Sequence, residues 1–355
     1  MAQETLRSTR IEVPDPLAAI EAYFEKGWTD GLPVVPPTED RILAMLDAMG
    51  KPPGAVLGEI PARARIITAE KLAINAIMAG CLPAYAPVLL TMVEALCDPA
   101  FSAHGPTAST SGMGILTVVN GPIASLIGVN ARENLFGPGW RANATIGRAL
   151  RLLLRNVCGA LPGTLDRSCF GHPGKFTYCI AEDESRSPWT PLHAERGIPA
   201  AESAVTLFAG EAPHQVANQS ASDPEAILRT IADAMVGAGR LSLSGQQFVL
   251  IVAGEHRRRI VSRGWTKKDV RDWLHEHAVR SEEDLARVGR LPAPESPEHA
   301  ARQYRAVNHP DDILVVAAGG EAGGYSVVIP GWSGKLHSEA VTKMVLPCPT
   351  CRVEA

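Results

Sequence analysis

Apolar and polar positions divide this chain into three stretches. From residue 15 to 100 the apolar positions recur at helical spacing. Leu17, Ile20, Tyr23 and Phe24 share one face of a short helix expected over 15–26, and Gly27 ends it. A proline-stiffened segment, Trp28 to Thr38, then leads into a second helix running through Met49. Residues 52–68 read as a loop with a short strand, followed by a buried helical pair at 69–80 and 84–97.

Between 101 and 200 the pattern is broken by Gly, Pro and Asn. An uncharged run from His104 to Ser111 reads as a loop that lies over a pocket. Ile115 to Val119 is β-branched and apolar enough for a strand buried on both faces. A Gly/Pro/Asn loop follows, then a long helix from Arg141 to Cys158 with Ile146, Ala149, Leu150, Leu153 and Leu154 on its apolar face. Phe176, Tyr178 and Ile180 alternate with polar neighbours, so a strand presenting Lys175, Thr177 and Cys179 on one face is expected.

In the last stretch, three apolar runs each end in glycine and an acid. They are Val205–Glu211, Val249–Glu255 and Leu314–Glu321, with helices expected over 223–236 and 265–278 between them. Strand, glycine turn and helix in alternation place ligand groups at the carboxyl ends of strands. The expected fold is α/β: a mixed or parallel sheet core with flanking helices and an N-terminal helical segment. Three regions are expected: a helical, proline-rich 1–100, a Gly/Asn-rich, site-bearing 101–200, and an α/β region at 201–355.

Composition narrows the classes. The 355 residues are 46% hydrophobic and carry a formal charge of -4, so no nucleic-acid partner is expected. The basic run His256–Arg259 reads as a helix start or an anion contact. The longest uncharged stretch, Pro99 to Ala131, is interrupted by Asn120-Gly121-Pro122, and the first residues lack an apolar signal core. No membrane partner is expected, and the expected location is cytoplasmic. Seven scattered cysteines fit reduced thiols better than a disulfide framework.

The candidate chemistry gathers around the 118–158 stretch and the segment after it. Arg141 and Asn143, at a helix start, suit a carboxylate or phosphate; with Asn120, Asn130 and Arg148 they form the expected substrate-binding set. Lys175, Glu182, His193 and Cys179 are the expected catalytic set. Glu182, Glu184 and His193 could together hold a divalent metal. Each residue also has a structural reading: Asn and Gly serve turns, and Arg and Lys pair with carboxylates. Thr29 and Asp30 either belong to a stiff linker or present polar groups to the site. Gly319–Gly324 follows a strand without dinucleotide spacing, and no P-loop is present, so no nucleotide cofactor is expected. Cys348-Pro349-Thr350-Cys351 is half a zinc site or a redox pair, with no second such motif to complete a four-cysteine centre.

Several long motifs stand out. They are Thr29-Asp-Gly-Leu-Pro-Val-Val-Pro-Pro-Thr38, Val119-Asn-Gly-Pro-Ile123, Phe136-Gly-Pro-Gly with Arg141-Ala-Asn-Ala-Thr-Ile-Gly-Arg-Ala149, Pro173-Gly-Lys-Phe-Thr177, and Ser187-Pro-Trp-Thr-Pro-Leu-His193. In these the chain resembles a bacterial protein family over most of its length. The resemblance implies a site at these motifs, and a partner among small α/β proteins with a selenocysteine-or-cysteine-Gly-Ser-Cys motif.

The leading expectation is an enzyme, a lyase or hydrolase, acting on a small anionic or carbonyl-bearing metabolite by acid/base chemistry. Arg141 and Asn143 would anchor the anion, Asn120 and Asn130 would orient a carbonyl, and Lys175 would act as base or charge stabiliser. Glu182 and His193 would complete proton transfer. A thiol-disulfide component using Cys179, Cys348 and Cys351 with a partner protein is a second reading. A non-catalytic small-ligand binder is a third. A homo-oligomer is expected.

Overall fold

The computed structural model describes residues 5–238, 246–334 and 338–346. Eight strands form one mixed sheet: β1 Gly114–Asn120, β2 Cys179–Ala181, β3 Ala204–Gly210, β4 His214–Ala217, β5 Gln246–Val252, β6 Ile313–Ala317, β7 Tyr325–Gly334 and β8 Val341–Met344. Their order is β6-β5-β7-β3-β1-β2, with β8 added to β3 and β4 to β7. Pairs β1/β2 and β5/β6 are parallel; β1/β3, β5/β7, β4/β7 and β3/β8 are antiparallel. The fold is α/β, with a mixed rather than purely parallel core.

Six helices flank this sheet: α1 Ala69–Ala79, α2 Ala86–Leu96, α3 Arg141–Asn156, α4 Pro224–Gly237, α5 Gly254–Val261 and α6 Lys267–His277. They explain why the central strands lack a polar face. In β1, Leu116 and Val118 point into an interior shared with Ile180, Phe208, Val249, Ile251, Leu314, Val316 and Ile329. The alternate residues Ile115 and Val119 pack with Val205 and Leu207 against α1, α2 and α3. Phe248, Leu250, Ile313 and Val315 do the same against α4, α5 and α6. Period-two alternation thus puts the apolar residues of the central strands into one of two apolar interfaces, each buried side chain contributing roughly 1.5–3 kcal/mol.

The sheet therefore folds over on itself between two helical layers. Its halves join at β3 and β7, where Gly331 pairs with Gly210. The far edges come together again, because the Asp183 amide just beyond β2 donates to the Ala317 carbonyl of β6 at 2.7 Å. This second junction gathers the carboxyl ends of β1, β2, β5 and β6 into one corner.

Some local expectations need correction. Residues 175–178 are not strand: Pro173–Lys175 is a 3-10 turn, and only Cys179–Ala181 pairs with β1. The His172 ring accepts from Gly174 N and fixes that turn, overriding the alternation. His104–Ala108 is a short helix, and Gly105 packs on Trp332, so it is not a loop over the corner. Residues 56–68 hold two antiparallel strands, Val56–Ile60 and Arg65–Thr68. The remaining helices start and stop within a few residues of expectation.

Candidate active site at a corner of converging strand ends

Asn120 is the last residue of β1 and is completely buried. Its Nδ2 donates to Glu182 Oε2 and to Glu184 Oε1, both at 2.8 Å. Gly121 then turns with φ 80°, and a Cβ there would lie 2.3 Å from the Glu202 carbonyl, so only glycine fits. This turn aims the Gly121 amide at Glu184 Oε1, 2.7 Å away. His193, fully buried, brings its Nδ1 to 3.8 Å from the same oxygen. Among the described residues, Asn120 Oδ1 and both ring nitrogens of His193 have no hydrogen-bond partner.

Glu182 serves differently. Lys267 Nζ donates to its Oε1 at 2.7 Å and Ala317 N at 3.2 Å, while Leu192 N reaches Oε2 at 2.7 Å and Asn120 Nδ2 shares that oxygen. Four donors surround one buried carboxylate. It ties β1, β2, β6 and the Lys267 end of α6 together, and leaves no oxygen directed to a ligand. For that reason the Glu182/Glu184/His193 set does not fit a metal centre: two candidates remain where three were expected. Among the described residues no group of three His, Cys, Asp or Glu side chains is arranged to hold a metal ion.

A second layer of charge lies beside this one. Asp183, buried to 3% exposure, faces Arg132 Nε at 3.4 Å and Arg257 Nη2 at 3.8 Å. Arg257 Nη2 also donates to Glu321 Oε1 at 3.0 Å, and Arg258 bonds the other oxygen of Glu321. Gly319 N donates to Ala131 O and Gly254 N to Gly320 O, which holds the β5 and β6 ends against the 130–133 loop. A cleft of about 450 Å³ opens here, lined among others by Asn134, Phe136, Ile251, Gly319, Gly320 and Tyr325. Its floor is the apolar interior, and its walls are the glycine-rich strand ends. Such a mixture is typical of small-molecule sites.

The other expected residues are placed elsewhere or are fully engaged. Asn143 Oδ1 accepts from Asn130 N, while its Nδ2 donates to the carbonyls of Asn130 and Cys179. Asn130 Nδ2 donates to Glu133 O, and its Oδ1 accepts from Arg132 N. Both therefore position loops and do not reach into the cleft. Arg141 begins α3, but its guanidinium caps the Gly80 carbonyl, from which Nε and Nη2 lie 3.0 and 2.9 Å. Arg148 forms a fork with Asp30, 2.8 Å on each arm. That contact gives Asp30 a polar role, yet a structural one that ties the proline-rich segment to α3.

Lys175 lies at the opposite end of β1. His172 Nε2 accepts from Gly114 N, at the strand's first residue, and Lys175 is three residues on. A seven-residue strand separates that end from Asn120, roughly 20 Å at 3.3 Å per residue. Lys175 Nζ bonds Asp166 at 2.7 and 2.9 Å and Ser168 at 2.6 Å. Its pKa is lowered, because burial outweighs the Asp166 hydrogen bond. The partner explains why it does not join Glu182 and His193. Cys179 is buried, and burial pushes its thiol far above the ordinary range, the opposite of what a thiolate nucleophile needs. Cys348 and Cys351 lie outside the described residues.

The Asp166 cluster makes a stability prediction. Burial raises the Asp166 pKa, but hydrogen bonds from Lys175, Ser168 and Arg151 outweigh it and hold the carboxyl well below the usual range. A depressed carboxyl pKa contributes stability that is present above its unfolded value, about 4, and is lost as pH falls towards the folded value. Asp166→Asn should cost about 3 kcal/mol at pH 7, because two cations lose their counter-charge. Urea melts should show the gap between wild type and variant narrowing once the pH drops below about 4.

Sequence reasoning missed Lys267, Asp183 and Arg132. The run 256–259 read as a solvated helix start or an anion contact; it does start α5 and sets Arg257 and Arg258 on Glu321, but His256 and Arg257 are buried rather than solvated. His256 is a satisfied core residue: Nδ1 lies 2.8 Å from Ser326 Oγ and Nε2 2.9 Å from Asn218 O. No described helix is long and apolar enough to cross a membrane. No family model and no curated protein matches this chain.

Proposed function

We propose that this protein is an enzyme acting on a small anionic or carbonyl-bearing metabolite by proton transfer, as a lyase or hydrolase, at the corner between Asn120 and Glu321. In this reading Glu184 is the proton-transferring group. Its carboxylate is a quarter exposed and is oriented by Asn120 and Gly121, with His193 behind it. Asn120 Oδ1 and His193 would meet the polar atoms of the substrate. Lys267 and Glu182 fix the frame.

One observation carries this reading. Three buried polar atoms, Asn120 Oδ1 and the two His193 nitrogens, lack partners among the described residues within one cluster beside a carboxylate. Each such atom costs on the order of 1–3 kcal/mol, which folding alone gives no reason to keep. The cleft at the β5 and β6 ends, lined by Ala253, Gly319 and Gly320 rather than by Asn120, Glu184 or His193, is large enough for a small metabolite. The expected small (seleno)protein partner remains part of the proposal through the resemblance of the motifs alone, and the expected homo-oligomer remains a proposal beside it.

The test is a consumption screen. The full chain would be incubated with a panel of small hydroxy, oxo and amino acids and their amides, with turnover followed by proton NMR. The reading expects catalytic depletion of at least one compound. If compounds bind and dissociate unchanged across the panel, the non-catalytic reading replaces it.

A further inference from the structure

The cationic side of the corner already holds an anion supplied by the protein itself. Glu321 Oε1 accepts from Arg257 Nη2 at 3.0 Å, Oε2 accepts from Arg258, and Arg186 Nη1 stands 3.7 Å from Oε1. The same carboxylate lies on the first turn of α5. A Cβ built on Gly254 would sit 2.8 Å from Glu321 Oε2, so glycine is what admits a carboxylate to this helix start. Amide donors and the dipole favour an anion there.

The seat has spare donor capacity. Arg257 is 2% exposed, and its Nη1 is buried with no partner among the described residues, although Nη2 of the same guanidinium contacts both Glu321 and Asp183. Four guanidiniums, those of Arg132, Arg186, Arg257 and Arg258, converge on Asp183 and Glu321. Glu133 adds one more acid near Arg132 and Arg186. Cations therefore outnumber acids by one.

Asp183 and Glu321 differ in how firmly they are held. Asp183 is buried, anchored by its own amide on Ala317 O and by Ser185 on its carboxylate. Glu321 is one-third exposed and belongs to the Gly319–Gly324 turn, where Gly319 and Gly323 have φ of 103° and 90°. That turn lines the cleft through Gly319, Gly320 and Ala322. A glycine-rich turn can release its side chain with little backbone cost.

Resting on the reading of this corner as a substrate site, we propose that the Arg257/Arg258/α5 seat binds the carboxylate of a small carboxylic acid, and that Glu321 is an internal competitor displaced on binding. The resident anion is itself a carboxylate, with one arginine on each oxygen, so a carboxylic acid is the ligand class that reproduces the contacts already present. Bound this way, the acid would extend through the cleft towards Asn134 and Tyr325.

Calorimetric titration of the full chain with succinate, and separately with inorganic phosphate, tests the idea. Glu321→Ala should bind succinate about tenfold more tightly than wild type, since the competing internal state is removed. Adding Arg258→Ala to Glu321→Ala should abolish the gain. Should Glu321→Ala prove poorly folded by circular dichroism, Glu321→Gln provides the same loss of charge at constant size and should show a gain of the same sign. Unchanged or weaker succinate binding in a folded Glu321 variant would overturn the proposal, as would an equal gain for phosphate. Binding here is measured without turnover, so it can fail while Glu184-dependent catalysis stands, and the reverse.

Discussion

Lys267→Met is expected to lower stability by about 3–5 kcal/mol, the usual cost of removing one partner from a buried ion pair. Lys267 is 2% exposed and Glu182 5%, and their 2.7 Å contact joins residues 85 positions apart. Lys267 also stands 3.6 Å from Glu195, but that acid keeps Arg271 at 2.8 Å, so the loss falls on Glu182. Replacing both members of a buried pair by apolar residues is often neutral in other proteins. Here it should not be, because Asn120, Leu192 and Ala317 also donate to Glu182 and would lose their acceptor. Denaturant melts of Lys267→Met and of Lys267→Met/Glu182→Leu should therefore both show large losses. Full recovery in the double variant would mean that the carboxylate is not the tie it is taken to be.

The second large effect is on turnover. Glu184→Gln should slow the proposed reaction by about 10²–10⁴-fold, the range associated with a general acid or base. The amide oxygen of glutamine can still accept from Asn120 Nδ2 and Gly121 N, so folding should be little changed. His193→Leu gives the complementary result. Both ring nitrogens lack partners among the described residues, and replacing an unsatisfied buried polar group by an apolar one of similar size is neutral or stabilising. A purely structural histidine would show destabilisation and unchanged kcat. The proposed role predicts an unchanged or raised melting temperature together with a large fall in kcat.

Much of the fold was legible in the sequence because its signals are local. The apolar runs at 205, 249 and 314 are strands, and the helices at 141, 223 and 265 begin and end close to expectation. Asp223 and Thr266 cap their helices through bonds to residues three positions on. The expectation that glycine–acid strand ends would gather held for Glu255 and Glu321, at β5 and β6. It failed for Glu211, because β3 is antiparallel to β1 and its carboxyl end lies with Gly114.

The site was only half legible, for a physical reason. A polar side chain's role depends on its partner, and the partners here are distant in sequence. Arg148 finds Asp30 118 residues away, and Arg141 finds Gly80 61 residues away. Lys175 finds Asp166 only nine residues away, yet irregular backbone brings them together and no periodicity announces it. Asn120, Glu184 and His193 do lie together, because Asn120 and the segment carrying the other two leave adjacent parallel strands at the same end. Lys267 left no comparable mark: it sits in the first turn of an otherwise ordinary amphipathic helix.

The central claim is that chemistry takes place where β1, β2, β5 and β6 end, and not at the Lys175 end of β1. Amide hydrogen exchange of the full chain, with and without a compound found to be consumed, measures this directly. Protection should rise in residues 120–134, 182–186, 253–258 and 318–322, and stay unchanged in 166–177. Protection confined to 166–177, with the strand-end corner unaffected, would contradict the claim.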